Sequence, residues 1–287
     1  MPEMPEVEAL RRYLSAACVG QAIVRTQLVA FSALKTVQPP LEALNGLEIS
    51  AVNRFGKFLD IDAQGVHLVF HLARAGWLHW RTEVPDKLLR PGRGPMALRV
   101  HLSNGQGFDL TEAGTQKHLA VHVVHDPADI ELVATLGPDP TDESFTADDF
   151  DRVLTAAGRS QLKGVLKDQR LLAGIGNAYS DEILHVARLS PFHPCSSLTR
   201  EQRDELLGTI RSVLAEAVEA THGLGAEKLK DSKRATMRVH GRTGEPCPVC
   251  GTTIAQVSFA DSSLQYCPGC QTGGKPLADR RLSKLLK

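Results

Sequence analysis

The sequence predicts an α+β chain of several domains: an N-terminal helix joined to an antiparallel β-sandwich, then a helical domain, then a small cysteine ribbon. Three observations predict this. Short apolar runs parted by turn residues fill Val24 to about Val124, helical spacing fills Ala147 to Thr221, and two C-x-x-C turns lie near the C-terminal end. At 287 residues the chain is long enough for two domains with separate cores and a third small module.

The elements follow in order. Leu10, Tyr13 and Leu14, between Val7 and Ala17, carry the spacing of a helix that begins behind a Pro-Glu start. Phe58-Leu59-Asp60-Ile61, His67-Leu68-Val69-Phe70 and Leu98-Arg99-Val100-His101-Leu102 read as strands of a sandwich or barrel. The Pro/Asp-rich stretch Gly137-Pro138-Asp139-Pro140-Thr141-Asp142 reads as a boundary. Helices are expected at Ala147 to Ala156, Leu162 to Asp168, Ala178 to Arg188 and Arg200 to Thr221. The last of these carries Leu206, Leu207, Ile210, Val213, Leu214 and Val218 on one stripe. The expected division is 1–135 for the β-sandwich, 136–222 for the helical domain, 223–272 for a loop and the ribbon, and 273–287 for a basic tail.

Charge is informative through its distribution. The formal net charge is zero, which argues against a generally basic nucleic-acid binder. From Glu227 to Lys287, however, eleven Lys and Arg stand against five Asp and Glu, while Asp126 to Asp151 is strongly acidic. Positive charge is thus gathered where a footprint for phosphates could lie. No run approaches the roughly 20 apolar residues of a membrane span, and the acidic start is unlike a secretory signal, so a soluble cytoplasmic protein is expected; a monomer is a separate expectation.

Cys247-Pro248-Val249-Cys250 and Cys267-Pro268-Gly269-Cys270, with sixteen residues between them, have the spacing of a four-cysteine zinc ribbon. One structural zinc on Cys247, Cys250, Cys267 and Cys270 is expected. Four thiolates leave no open coordination position for catalysis. Cys18 and Cys195 are expected to pack quietly.

Two further segments suggest chemistry. Met1-Pro2-Glu3 exposes a secondary amine if Met1 is trimmed. An α-amine titrates at about 8 against about 10.4 for lysine, so more of it carries a free lone pair at neutral pH. Such an amine can condense with a sugar C1 to an iminium while Glu3 passes a proton. Pro at position 2 is equally compatible with a plain processed start. Leu171-Leu172-Ala173-Gly174-Ile175-Gly176-Asn177-Ala178-Tyr179 places two glycines before Asn at a helix entry, either a phosphate cradle or an interhelical turn with an N-cap Asn.

Together these motifs resemble the formamidopyrimidine-DNA glycosylase / endonuclease VIII family of base-excision repair enzymes over nearly the whole chain. The resemblance rests on Pro2 to Glu8, Arg54-Phe55-Gly56-Lys57, Leu172 to Tyr179, and His240-Gly241-Arg242-Thr243-Gly244-Glu245-Pro246-Cys247 leading into the ribbon. It implies a helix-two-turns-helix motif in the helical domain, damaged or abasic DNA as partner, a nucleoid-associated location, and a glycosylase that is also a lyase. It implies Pro2 as nucleophile, Glu3 as general acid, and Lys57 as phosphate contact and proton donor for β-elimination. Lys163 and Asn177 match phosphate contacts near the lesion, and Glu6 and Glu182 match acidic positions. The nucleotide would be extruded, since C1′ is out of reach inside the duplex.

The departures are as informative. Arg74 stands where the family places a Met wedge, and Gly114-Thr115 stand for its Arg-Phe pair, so Arg74 is the candidate to contact DNA in the gap. Ser262 replaces a ribbon Arg, which puts complete β,δ-elimination in question. His222 to Met237 is shorter than the loop that closes over 8-oxoguanine. The tail carries Lys275, Arg280, Arg281, Lys284 and Lys287. Two other readings remain compatible: a lyase with weak base excision, and a non-catalytic zinc-ribbon binder of damaged DNA.

Overall fold

The structure is a computed structural model that describes residues 1–92, 94–260 and 262–278, with the backbone alone of Lys230. Arg280, Arg281, Lys284 and Lys287 of the expected basic tail lie outside the described residues, while Lys275 is exposed. The chain forms two compact units, Met1–Leu136 with Thr221–Lys230, and Gly137–Ala220 with Asp231–Lys287.

The first unit is the expected helix and sandwich. Helix α1 (Met4–Cys18) is followed by β1 (Ile23–Leu28), β2 (Ile49–Phe55), β3 (Phe58–Ala63), β4 (Val66–His71), β5 (Gly76–Arg81), β6 (Met96–Leu102), β7 (Gly107–Glu112) and β8 (Ala120–Val124), and the short α2 (Glu131–Ala134) closes the run. Two four-stranded antiparallel sheets result, in the orders β1-β6-β7-β5 and β2-β3-β4-β8. Leu10 and Leu14 of α1, Ile61 and Leu68 of one sheet, and Leu98 and Phe108 of the other share one core. Each such buried side chain contributes roughly 1.5–3 kcal/mol. Cys18 is wholly buried there, and burial pushes its thiol up to about 12, which makes it a packing residue.

Residues 221–230 return to this unit through a non-local bond: Trp77 Nε1 donates to the Ala226 carbonyl at 3.0 Å, and Ala226 and Leu229 join the core.

The second unit holds α3 (Ala147–Ala157), α4 (Leu162–Lys167), α5 (Asn177–Val186) and α6 (Arg200–Glu219), each within two residues of its expected bounds. Thr146 with Asp149, and Thr199 with Gln202, form capping boxes that start α3 and α6. The stripe of α6 is buried at Leu206, Leu207, Ile210, Val213 and Leu214. Helix α7 (Leu229–Thr236) occupies the segment expected as a loop. The ribbon pairs β9 (Ala255–Ser258) with β10 (Ser263–Tyr266), and α8 (Pro268–Thr272) follows. Among the described residues no helix is long and apolar enough to cross a membrane.

Candidate functional site

In the first unit the candidate residues Pro2, Glu3 and Glu6 lie at the start of α1. Pro2 is buried, with Met1 still attached and 45% exposed. Glu3 is the N-cap of α1 and Glu6 its third residue, and they form a reciprocal capping box in which the Glu3 N–H donates to Glu6 Oε2 at 2.8 Å. Both carboxylates are almost fully buried, at 2% and 1% exposure. A helix N-terminus favours negative charge, so this is where two carboxylates can be held close together at low cost.

Lys57 sits on the tip of the β2–β3 hairpin. Phe55 pairs with Phe58, which leaves a two-residue turn of Gly56 and Lys57, and Gly56 supplies the positive φ of 55° that the tight turn needs at its first position. Arg54 holds the hairpin to α1 by donating from Nε to Glu8 Oε2 at 3.2 Å, and its other arm reaches the Gly56 carbonyl at 3.0 Å. Burial pushes the Glu8 carboxyl up, but Arg11, Arg54 and Arg12 together outweigh it and leave the group below its ordinary value. Lys57 is 7% exposed. Close by, burial first and the Lys57 charge second push the His71 imidazole down to about 4. A neutral His71 accepts the Ala73 N–H through Nδ1 at 3.2 Å, and its ring packs tilted by 43° against Phe58 with the centroids 4.8 Å apart.

Arg74 is exposed in the turn between β4 and β5, after the buried Ala73 at φ 51°. Gly76 pairs with Glu112, so this turn and the exposed 113–118 loop leave the same end of one sheet. Glu112, a residue the sequence reading passed over, anchors that loop: its carboxylate accepts the N–H groups of His118 and Leu119, each at 2.9 Å. The structure thus places the Arg74 turn and the Gly114-Thr115 loop at one end of the sheet, joined where the Ala113 N–H donates to the Ala75 carbonyl at 3.2 Å.

In the second unit α5 organises everything else. Gly176 is its N-cap and Asn177 its first residue, so the expected N-cap Asn is displaced by one position. The Asn177 amide donates from Nδ2 to the Ser263 carbonyl at 2.8 Å, beside Ser262. Gln169, also missed in the sequence, clamps the turn by donating to Ile175 O at 2.7 Å and accepting from Gly174 N at 3.0 Å. Lys163 is 6% exposed, and its ammonium donates to Asn177 O at 3.0 Å, Ser180 Oγ at 2.8 Å and Asp181 Oδ1 at 2.6 Å. The structure therefore places Lys163 beneath the Asn177 turn, holding it from behind. Glu182 accepts the N–H groups of Arg238, Val239 and His240 at 2.7, 2.9 and 2.8 Å. Burial still raises its pKa, with those three donors opposing.

One turn further along α5, the cysteines converge. The Sγ atoms of Cys250 and Cys267 lie 3.4 Å apart and those of Cys247 and Cys270 3.9 Å apart, with no disulfide. Thiolates 2.3 Å from a tetrahedral zinc are separated by about 3.8 Å, so the set fits the ion. The ligand atoms of His185, Cys247, Cys267 and Cys270 also lie within 4.8 Å of one another. The ribbon carries one structural zinc. His185 was not anticipated, because its partner Cys247 is 62 positions away.

Comparison with known proteins agrees with this geometry. Residues 1–123 match the family described as the formamidopyrimidine-DNA glycosylase N-terminal domain, 136–228 its H2TH domain, and 244–273 a zinc finger found in Fpg and IleRS. An uncharacterised formamidopyrimidine-DNA glycosylase-like protein of Mycobacterium tuberculosis is 56% identical over 152 residues, 53% of this chain and 94% of that one. The formamidopyrimidine-DNA glycosylase of Thermus thermophilus is 36% identical over 290 residues, covering 96% of this chain and all of its own. The crystal structure of the Thermus thermophilus MutM (Fpg) protein superposes with a TM-score of 0.79 at 33% identity, over 96% of this chain and 100% of that one. The Lactococcus lactis enzyme bound to DNA containing an AP site superposes with a TM-score of 0.78 at 27% identity, over 94% and 99%. On the matched domains and full-length relatives, this chain belongs to the formamidopyrimidine-DNA glycosylase family.

Proposed function

We propose that the protein is a DNA glycosylase with AP lyase activity, acting as a monomer on damaged or abasic DNA at the cytoplasmic nucleoid. The observation that carries this reading is the buried Pro2 at the head of α1, followed by the reciprocal Glu3–Glu6 cap. With Met1 removed, the Pro2 amine attacks C1′ of an extruded nucleotide. The bond from C1′ to the base breaks as the bond to proline forms, and the base leaves with the proton that the proline nitrogen gives up. Glu3 protonates the sugar oxygen as the ring opens to the iminium. Loss of a C2′ proton to water then expels the 3′ phosphate, with Lys57 as its contact and proton donor, and a further water adds to the iminium to release the sugar fragment and return the Pro2 amine. Asn177 contacts the phosphate near the lesion, Lys163 positions the Asn177 turn, and Arg74 contacts DNA at the gap. Cys247, Cys250, Cys267 and Cys270 hold the zinc.

A second reading, a lyase with weak base excision, is favoured by the 72–75 and 113–118 loops, which present Arg74, Gly114 and Thr115 in place of a large apolar wedge. Incubation of the Met1-processed protein with oxidised-base and abasic oligonucleotides under borohydride separates the two. Trapping on both substrates, abolished in Pro2→Gly, supports the first reading. Trapping on abasic DNA alone selects the second. No trapping on either refutes both and leaves a DNA-binding protein without catalysis.

A further inference from the structure

His185 belongs to the zinc centre without being one of the four expected ligands. It projects from the last turn of α5, is 2% exposed, and its Nε2 lies 3.3 Å from Cys247 Sγ. Its other ring nitrogen, Nδ1, is buried and has no hydrogen-bond partner among the described residues.

We infer that His185 donates an Nε2–H hydrogen bond to the Cys247 thiolate and so secures zinc in the ribbon from outside the coordination sphere. This rests on the four-cysteine ligand set proposed above. Two arguments carry it. The first is charge: a divalent ion with four thiolates has a net charge of minus two, and Cys247 faces it from an apolar cluster with Val239 and Ile254. Buried negative charge needs donors. The backbone supplies Val249 N–H to Cys247 Sγ at 3.4 Å and Cys270 N–H to Cys267 Sγ at 3.4 Å. His185 adds a side-chain donor at Cys247, a buried member of the ligand set.

The second argument is the orphaned Nδ1. A zinc-bound imidazole nearly always donates its other N–H to a carboxylate, a carbonyl or water. Were Nε2 a ligand, Nδ1 would carry the proton, a buried donor with nothing to receive it. With the proton on Nε2, that donor is used on Cys247 Sγ and Nδ1 is left only as a bare acceptor. The orphan thus selects hydrogen-bond donor over zinc ligand, although His185 clusters with Cys247, Cys267 and Cys270 as closely as a ligand would. The bond also ties α5, whose first residue is Asn177, to the ribbon.

The test uses zinc-loaded full-length protein, wild type beside His185→Phe and His185→Gln. Zinc release to excess 4-(2-pyridylazo)resorcinol is expected to be about tenfold faster in His185→Phe, as for other lost outer-shell donors. His185→Gln, which keeps an N–H near the same place, should restore the rate. Equal release in wild type and His185→Phe overturns the inference, as does equal acceleration in both variants, which would mark a packing effect. Cobalt-substituted protein checks the underlying ligand set: a four-sulfur ligand field in all three proteins upholds it. A three-sulfur, one-nitrogen field lost in His185→Phe makes His185 a ligand and overturns both readings. In unmodified zinc-loaded protein, imidazole 15N shifts should place the proton on Nε2; a proton on Nδ1 overturns the inference without any variant.

Discussion

Lys163 and Asp181 form a buried ion pair, Nζ to Oδ1 at 2.6 Å, with side chains 7% and 0% exposed. The second oxygen of Asp181 faces His240 Nδ1 at 2.8 Å and the Gln265 N–H at 3.2 Å. One carboxylate therefore binds α4, α5, the approach to the ribbon and β10 together. Lys163→Met strands that charge, and removing one partner of such a pair costs about 3–5 kcal/mol. Urea unfolding should show a loss of this size. Lys163→Met combined with Asp181→Asn should lose less than the sum of the single changes, because the coupling between touching residues is removed only once. A strictly additive pair would deny the coupling.

The Glu3–Glu6 cap makes a second prediction. Glu6→Ala leaves the buried Glu3 N–H without its acceptor at 2.8 Å. An unsatisfied buried donor costs about 1–3 kcal/mol. Denaturant unfolding should register this cost, and borohydride trapping should slow, because Glu3 loses the backbone register that aims its carboxylate. Glu6→Gln, whose amide oxygen can still accept, should recover much of the stability. Equal losses in both variants would mean that charge, not the cap, is what Glu6 provides.

Much of this architecture is legible locally, and what is not depends on distant partners. The Gly56-Lys57 turn, the two C-x-x-C turns and the stripe of α6 are readable because spacing alone determines them. Asp109 is unreadable in the same way. A carboxylate in a strand suggests an exposed face, yet it is fully buried because Arg99 and Arg81, from neighbouring strands, both donate to it. The same holds for Trp77 with Ala226 and for His185 with Cys247, pairings across 149 and 62 positions. The sequence around Asn177 suits either a phosphate cradle or an N-cap Asn, but Gly176 takes the extended cap conformation and leaves the Asn side chain for Ser263. The resemblance implies Lys163 as a phosphate contact, and nothing near it in sequence announces its partner Asp181.

His71 predicts a pH dependence. Its imidazole is pushed from 6.5 to about 4, by burial first and the Lys57 charge second. The unfolded chain takes up this proton as pH falls through 6.5, whereas the folded chain does not until about 4. The stability His71 confers is thus present above 6.5 and lost as pH falls through that window, up to roughly 3 kcal/mol. Following the His71 ring proton by NMR should give a low midpoint that rises in Lys57→Gln but stops short of the ordinary value, because burial remains. No movement in Lys57→Gln would remove Lys57 from its surroundings.

Arg74 makes the simplest prediction for the DNA side. It is exposed on its turn, so Arg74→Ala should leave folding stability within about 0.5 kcal/mol. If its guanidinium meets a phosphate, binding to abasic duplex should weaken and the salt slope of log affinity should fall by about 1. With 2-aminopurine opposite the lesion, the fluorescence gain on binding should also shrink. An unchanged slope together with unchanged fluorescence would take Arg74 out of the interface.

Zinc and Asn177 should act as one unit. Asn177 Nδ2 reaches the Ser263 carbonyl at 2.8 Å, and Ser263 opens the β10 strand that leads into Cys267. Binding free energy of a structural zinc is folding free energy of its module. Stripping the ion should therefore release β10 and leave the Asn177 amide without the carbonyl that orients it. In the zinc-loaded protein, Asn177→Ala should weaken binding to abasic DNA. In the chelated protein the same substitution should cost nothing further, because the residue has already lost its alignment. Fluorescence anisotropy on the four species gives the cycle directly. Additive losses would show that Asn177 and the ribbon meet DNA independently, and that the 2.8 Å bond between them carries no part of recognition.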